Sequence, residues 1–274
     1  MTLEEIKQSL RTDKKAVKEA LEFKKSTFKK ADSAVLTVGA TEPTYTNKAL
    51  STSIEGDTPD VIKRTVVGNT YNWLDSHGDV HLDGTFGKSI SERGEKGKIW
   101  HLHDHEQKVT AKVGKPDKVY EQTVKWTDLG IEKAGTTTAV MMDSNIMKAY
   151  NSLMFQEYKD GNIDQHSVGM YYVKLDLAVN DPEFKEEFSE WENHIDKIGN
   201  KERAEELGYF WAVKEAKLIE ISAVLEGSNE LTPTIEAKDN DPSADSQNTE
   251  PSKDTQAESL DEGSSDNLLI QNFL

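Results

Sequence analysis

Cysteine is absent from the 274 residues of the chain, so disulfide bonds and thiolate metal sites are excluded. No apolar run approaches the roughly 20 residues that a membrane-spanning helix needs. The first residues, Met-Thr-Leu-Glu-Glu-Ile, lack the basic and then apolar layout of a signal peptide. Hydrophobic residues make up only 35% of the chain. We therefore expect a protein of a reducing compartment, without a membrane span, in which part of the chain is not packed.

Acidic residues outnumber basic ones, and the formal net charge is −17. A charge of this sign is repelled by phosphate backbones, so nucleic-acid binding is not expected to be the main activity. The charge is unevenly spread along the chain. Residues 1–30 hold nine Lys or Arg against five Asp or Glu, whereas residues 237–266 hold nine acidic residues against two lysines. The two ends therefore differ in kind from the middle.

Four regions follow from these patterns. Residues 1–35 carry apolar side chains at near-helical spacing and predict a charged amphipathic helix, which either packs on the domain or docks on a partner protein. Residues 36–60 are rich in Thr, Ser, Gly and Pro, which is typical of a linker. Residues 237–274 are predicted to be a disordered acidic tail with an apolar C-terminus, because the acidic part cannot bury enough apolar surface to order itself. The folded domain is expected at 61–236.

The middle region mixes strand-like and helix-like patterns. Runs of β-branched and aromatic residues predict strands at 61–73, 98–105, 119–125, 163–179 and 209–225. Asp143 is expected to cap a helix that runs from Ser144 to about Tyr158, and residues 181–208 are expected to form a charged helical insertion. The pattern predicts an α+β domain built on a small antiparallel β-barrel or curled sheet with flanking helices.

Three separated segments each place one residue of a hydroxyl-nucleophile triad within a strand pattern. Ser167 lies in Gln-His-Ser-Val-Gly-Met, where strand alternation puts Ser167 and Gly169 on one face and His166 on the other. Glu220 lies in an apolar strand pattern, Leu-Ile-Glu-Ile-Ser-Ala-Val, where a buried carboxylate needs a partner. His105 is one candidate partner, and a Lys or Arg ion pair is the other. A serine, a histidine and a carboxylate are the minimum set for a serine nucleophile, its base and the group that orients the base.

The histidine segment permits two chemical interpretations. In a strand, His101, His103 and His105 all lie on one face, and three imidazoles at that spacing could bind zinc or a similar metal. Alternatively, one of them is a general base and the others are its neighbours. The second interpretation is preferred, because no downstream set of ligands completes a metal site.

Taken together, these segments resemble the prohead maturation proteases of tailed bacteriophages, whose fold is related to the herpesvirus assembly protease. The resemblance spans roughly residues 62–236 and leaves both ends outside it. It is carried by Trp-Leu-Asp-Ser-His-Gly-Asp-Val-His-Leu-Asp-Gly-Thr-Phe at 73–86, Leu-His-Asp-His-Glu at 102–106, Val-Gly at 113–114, Gly-Asn-Ile at 161–163, His-Ser-Val-Gly-Met at 166–170 and Leu-Ile-Glu-Ile-Ser-Ala-Val at 218–224.

The resemblance implies a role for each residue of the triad. Ser167 falls on the nucleophile, His105 on the base and Glu220 on the acidic position. His103 is the fallback base, because shifting the match by two residues would place it there. The herpesvirus relatives use a second histidine as the third member, so His103 or His101 could compete with Glu220.

The resemblance also implies a function. It is that of a serine endopeptidase that cleaves scaffold protein, segments of the major capsid protein and itself inside the assembling procapsid in the host cytoplasm. No metal or organic cofactor is implied, and neither nucleic acid nor membrane is an expected partner. Two other functions stay open. One is a non-catalytic scaffold or assembly protein that binds capsid subunits, and the other is a metal-dependent hydrolase built on the run at 101–105.

Overall fold

The computed structural model describes residues 2–12, 14–29 and 57–235. The predicted linker at 36–60 falls mostly outside these residues, and the predicted acidic tail at 237–274 falls entirely outside them. The strands are β1 (Phe28–Lys29), β2 (Val61–Thr70), β3 (Asp79–His81), β4 (Trp100–His103), β5 (Lys112–Lys125), β6 (Thr136–Met147), β7 (His166–Val179), β8 (Tyr209–Ala223) and β9 (Thr234–Ile235).

Two helices precede β1, and the other helices of the described residues lie in the connections between strands. They are α1 (Leu3–Thr12), α2 (Lys14–Ser26), α3 (Gly87–Ser89), α4 (Ser152–Lys159), α5 (Lys185–His194) and α6 (Lys201–Leu207), with short 3-10 or π turns at Ile90–Gly94, Val109–Ala111, Trp126–Leu129 and Ile195–Lys197. No helix among the described residues is long and apolar enough to cross a membrane.

The strands form one nine-stranded sheet in the order β1-β7-β8-β4-β5-β6-β2-β9, and β3 pairs with β8 beside this path. Most neighbours are antiparallel, but β3 and β4 both run parallel to β8. The sheet is mostly open, since β1 and β9 lie at its two ends within the described residues. The predicted α+β class with flanking helices is confirmed. The parallel pairs were not predicted.

The N-terminal helices belong to the main core of the domain. Ile6, Leu10 and Val17 are buried in the same apolar cluster as Val168 and Met170 of β7. Their burial explains the near-helical spacing of apolar residues in this region, because one face of each helix packs on the sheet. Of the two arrangements that the sequence left open for this region, the structure contains the one in which it packs on the domain.

The predicted helix from Ser144 to Tyr158 is wrong in its first half. Residues up to Met147 continue β6, which pairs with β2 on one side and β5 on the other. The helix begins only at Ser152, where the side chain of Asn151 accepts a hydrogen bond from the Met154 backbone N–H at 3.1 Å. Pairing on both edges of the strand outweighed the local helical spacing of its side chains, which propensity alone could not reveal.

A buried network of side chains supports the start of β7. The rings of His101 and His166 and the Tyr158 hydroxyl are fully buried. His101 Nε2 lies 2.9 Å from the Tyr158 hydroxyl, which lies 2.8 Å from His166 Nε2. At the two ends, His101 Nδ1 lies 2.9 Å from Ser144 Oγ, and His166 Nδ1 lies 2.9 Å from the Thr232 carbonyl oxygen.

Only one direction of donation satisfies every atom of this network. Because the Thr232 carbonyl can only accept, His166 Nδ1 carries a proton and its Nε2 accepts from the Tyr158 hydroxyl. Tyr158 then accepts from His101 Nε2, and His101 Nδ1 accepts from Ser144. Burial lowers the pKa of His101 to about 3 and that of His166 to about 4, so both rings are neutral near pH 7.

We expect the protein to lose stability in mild acid because of these two rings. Both pKa values in the folded protein lie below the ordinary value of 6.5, so the unfolded chain binds more protons below that pH. Their contribution is present above pH 6.5 and falls as the pH drops towards the folded values. The loss at pH 5 is about 2 kcal/mol for each ring. Urea unfolding at pH 7.5 and pH 5 measures this loss of stability. The prediction would be contradicted if the ¹⁵N imidazole signals of His101 and His166 titrated near pH 6.5 in the folded protein.

Tyr158→Phe is expected to lower the free energy of unfolding by about 1–3 kcal/mol, because it leaves a buried donor on His101 and a buried acceptor on His166 without partners. Thermal and urea unfolding measure the change. The control is Tyr150→Phe, since Tyr150 is 42% exposed. Equal effects of the two substitutions would contradict the role of the network.

Candidate active site

The pairing of β7 with β8 brings two of the predicted site residues to one face of the sheet. Ser167 lies opposite Ser222, and Gly169 lies opposite Glu220. Directly opposed residues of an antiparallel pair share a face, so Ser167, Ser222 and Glu220 point the same way. Gly169 adds no side chain beside the Glu220 carboxylate. His166 points to the other face, into the buried network, as the alternation of the strand predicts.

A turn after β4 carries the third residue to the same place. β4 runs parallel to β8 with His103 opposite Ala223, and the next two residues, Asp104 and His105, have φ values of 51° and 53°. Positive φ is uncommon for residues other than glycine and costs energy. The Asp104 backbone N–H donates to the Ala223 carbonyl at 2.9 Å. The strand therefore ends at His103, and His105 is turned back over β8.

His105 is held at the turn by two contacts to β8. Its Nδ1 lies 2.6 Å from Glu220 Oε1, and its backbone N–H donates to Ser222 Oγ at 3.2 Å. The Ser222 hydroxyl in turn donates to the second oxygen, Glu220 Oε2, at 2.6 Å. Glu220 is fully buried, and both of its oxygens are thereby bound. Because a carboxylate accepts, Nδ1 of His105 carries the proton, and Nε2 is free to act as a base.

Ser167 and the free nitrogen of His105 are not joined by a hydrogen bond in the described part of the chain, since His105 Nε2 is buried without a partner. Both residues are nearly buried, with 4% and 6% of their surfaces exposed. An unpartnered buried ring nitrogen costs free energy. Geometries of this kind often tighten only when substrate is bound.

The three histidines of the predicted metal interpretation do not converge. His101 contacts Ser144 and Tyr158 in the network beneath the sheet, and His103 Nδ1 lies 2.8 Å from Asp104 Oδ2 at the surface. The prediction that all three share one strand face is wrong, because the chain leaves β4 before His105. Of the two candidate bases, His105 is the one that the structure places against Glu220. The catalytic roles themselves stay predictions.

Sequence reasoning missed Ser222 as a member of the site. Its position two residues after Glu220 put it on the same strand face, which was the available signal. Only the turn that brings the His105 backbone to its hydroxyl shows that it binds both other groups.

A second polar cluster was also missed, on the opposite face of β7. Asp75 and Asp79 are fully buried, and Lys29 Nζ lies 2.6 Å from Asp75 Oδ2 and 2.7 Å from Asp79 Oδ2. The Tyr172 hydroxyl also hydrogen-bonds to Asp79. We call Asp75, Asp79 and Tyr172 the acidic pocket. Asp75, His77 and Asp79 are also the one group of described residues spaced so that they could hold a metal ion. In the structure, the ammonium group of Lys29 lies between the carboxylates of Asp75 and Asp79.

Comparison of the chain with protein-family models, curated proteins and solved structures found no match. The site is therefore interpreted from its geometry and from the resemblance of its motifs.

Ser222→Ala is expected to lower the free energy of unfolding by about 1–3 kcal/mol, because one oxygen of the buried Glu220 and the His105 backbone N–H both lose their partner. Urea unfolding measures the change, and the His105 imidazole signals in an NMR spectrum should shift. Ser91→Ala is the control, since its hydroxyl bonds to the Lys88 carbonyl at an exposed site. An unchanged His105 signal would contradict the assignment.

Proposed function

We propose that the chain is a serine endopeptidase in which Ser167 is the nucleophile, His105 the general base and Glu220 the group that orients the base. The observation that carries the proposal is the 2.6 Å contact between His105 Nδ1 and Glu220, on the face of β8 to which Ser167 is directly paired. A base held by a buried carboxylate, with its second nitrogen unpartnered, is the arrangement that activates a hydroxyl nucleophile.

The mechanism follows from the tautomer of His105. Nε2 accepts the Ser167 proton as the serine oxygen attacks a peptide carbonyl, and the imidazolium then delivers that proton to the leaving amine. Glu220 stabilises the imidazolium because its carboxylate already binds Nδ1. Ser222 is a positioning residue, since it binds the other carboxylate oxygen and the His105 backbone. For transfer to begin, the Ser167 hydroxyl must come within hydrogen-bond distance of Nε2.

The substrates are proposed from the resemblance to the prohead maturation proteases. They are scaffold protein, segments of the major capsid protein and the protease itself, cleaved inside the assembling procapsid. The herpesvirus-protease relationship of the fold belongs to the same proposal. The flanking helices and the order of the three site segments along the chain support it, and no cofactor is needed for the proposed chemistry.

Ser167→Ala is expected to abolish cleavage while leaving the fold intact, because it removes the attacking oxygen and no hydrogen bond of the buried network. The measurement is co-expression of the full chain with the proposed scaffold and capsid-protein substrates, read by intact mass. Shortened products are expected with the unsubstituted chain and with the control Ser91→Ala. They should be missing with Ser167→Ala and at least 1,000-fold slower to form with His105→Ala.

Identical masses for the unsubstituted chain and Ser167→Ala would contradict the proposal and favour a non-catalytic assembly protein. Cleavage retained in Ser167→Ala but lost on addition of a chelator would favour a metal-dependent hydrolase instead. These two results are distinct, because only the second one includes shortened products.

A further inference from the structure

The strand that carries Ser167 has one edge that is only partly covered within the described residues. β8 pairs with β7 along one edge from His166 to Val179. On the other edge, the two-residue strand β1 pairs antiparallel with β7, placing Phe28 opposite Tyr171 and Lys29 opposite Met170. An antiparallel peptide that continues this register reaches the position opposite Ser167 three residues further along. The edge that β1 uses therefore runs towards the proposed nucleophile. Beyond Ser167 this edge is occupied, since the His166 backbone N–H donates to the Thr232 carbonyl oxygen at 3.1 Å and the His166 carbonyl oxygen accepts from the Thr232 hydroxyl at 2.6 Å.

Lys29 inserts from this edge strand into the acidic pocket. The two aspartates there are fully buried, and Lys29 itself is 6% exposed. Burial raises the pKa of Asp79, but the charges of Lys24 and Lys29 outweigh that effect and hold it below its usual range. The Asp79 carboxylate is thus ionised, and a buried anion needs a cation beside it. Lys29 Nζ supplies that cation and contacts Asp75 as well. The pocket is complementary to a basic side chain.

Lys24 is the second cation that contacts the acidic pocket, and it is held by a different element from Lys29. Lys24 Nζ lies 2.5 Å from Asp79 Oδ1, and its ammonium also lies 5.0 Å from the Trp211 ring centroid. Lys24 belongs to α2, whose Val17 is buried in the core. Lys29 follows the end of that helix at Ser26 and is held by a strand of two residues. The two lysines that reach Asp79 therefore lie on separate elements, Lys24 on a helix packed on the core and Lys29 on the short edge strand.

His81 lies beside the acidic pocket, and both of its ring nitrogens are buried without a hydrogen-bond partner among the described residues. His81 is two residues after Asp79 on β3, so the two side chains share a strand face. Its ring is 1% exposed. Burial lowers the pKa of His81 to about 4, and the charges of Lys29 and Asp75 also act on it. The ring is thus a neutral, unpartnered group beside the pocket.

We propose that the acidic pocket is a specificity subsite for a lysine or arginine side chain of an extended substrate, and that Lys29 fills it in cis until the substrate strand displaces β1. The proposal rests on the proposed function, because it takes the peptide to be cleaved at Ser167. The substrate would pair with β7 as an added strand, a common mode of peptide recognition. Its basic residue would lie three positions N-terminal to the residue opposite Ser167.

Peptide binding tests the subsite without requiring cleavage. The probe is a fluorescent peptide with the sequence of residues 26–36, compared with the same peptide carrying Lys29→Met. The protein is the full chain with Ser167→Ala, with and without Lys29→Met to vacate the pocket. Fluorescence anisotropy should show that the vacated protein binds the lysine peptide at least tenfold more tightly than the methionine peptide. It should also bind the lysine peptide at least tenfold more tightly than the protein that keeps Lys29.

Two further variants separate the subsite from a general charge effect. Asp75→Asn in the vacated protein should remove the preference for the lysine peptide. Asp176→Asn, a change on the exposed part of β7 where the carboxylate pairs with Lys214, should keep it. Equal binding of the two peptides by the vacated protein would overturn the proposal, and so would a preference that survives Asp75→Asn.

A reversible lock tests the displacement of β1 even where Lys29→Met fails to fold. Phe28 and Tyr171 are directly paired, and opposed residues of an antiparallel pair lie within reach of a disulfide. The chain has no cysteine of its own, so Phe28→Cys together with Tyr171→Cys allows one disulfide bond, between positions 28 and 171. The oxidised protein should bind the lysine peptide at least tenfold more weakly than the reduced one. Equal binding in the two forms would overturn the proposal.

The two proposals fail separately. Lysine-dependent binding in a protein that cleaves nothing would contradict the peptidase and leave the pocket as a peptide-binding site. Ser167-dependent cleavage with no preference between the two peptides would contradict the subsite and leave the peptidase.

Discussion

The arrangement of the site depends on the burial of one carboxylate. Glu220 is fully buried on β8, in the middle of the sheet order, where an ionised group is costly unless its oxygens are bound. The His105 ring and the Ser222 hydroxyl bind those oxygens. This requirement accounts for the turn after β4, because two residues with positive φ bring His105 back over β8. Strain in the turn is offset by the contacts that it makes possible.

The two faces of β7 have separate tasks, and both depend on one register. His166 faces the buried network with Tyr158, whereas Ser167 faces the site. A slip of one residue would exchange these environments and place a serine among the network's partners. The N-terminal segment joins the same strand from the edge that does not pair with β8, with apolar residues in the core and Lys29 in the acidic pocket. Core, site and edge are therefore connected through β7.

Much of the fold could be predicted from local patterns. The β-branched runs predicted most of the long strands, and the charged insertion at 181–208 contains two helices. β6 was not predicted, and its end from Ser144 to Met147 was assigned to a helix because those side chains also fit helical spacing. What decides that segment is its pairing with both β2 and β5, and residues so far apart in sequence leave no local signal. The parallel pairing of β4 with β8 is non-local in the same way.

By itself, the sequence determined which chemical groups are present and which strand face each one occupies. Alternation placed Ser167 opposite in direction to His166, and the apolar setting of Glu220 required a partner for it. Strand alternation could not choose among His101, His103 and His105, because a regular strand would have put all three on one face, and only the resemblance of the motifs favoured His105. The tertiary structure decided, since the chain turns at Asp104 and only His105 reaches Glu220. Three rings that alternate along a chain share one environment only if the strand continues, and whether it continues depends on contacts with residues more than 100 positions away.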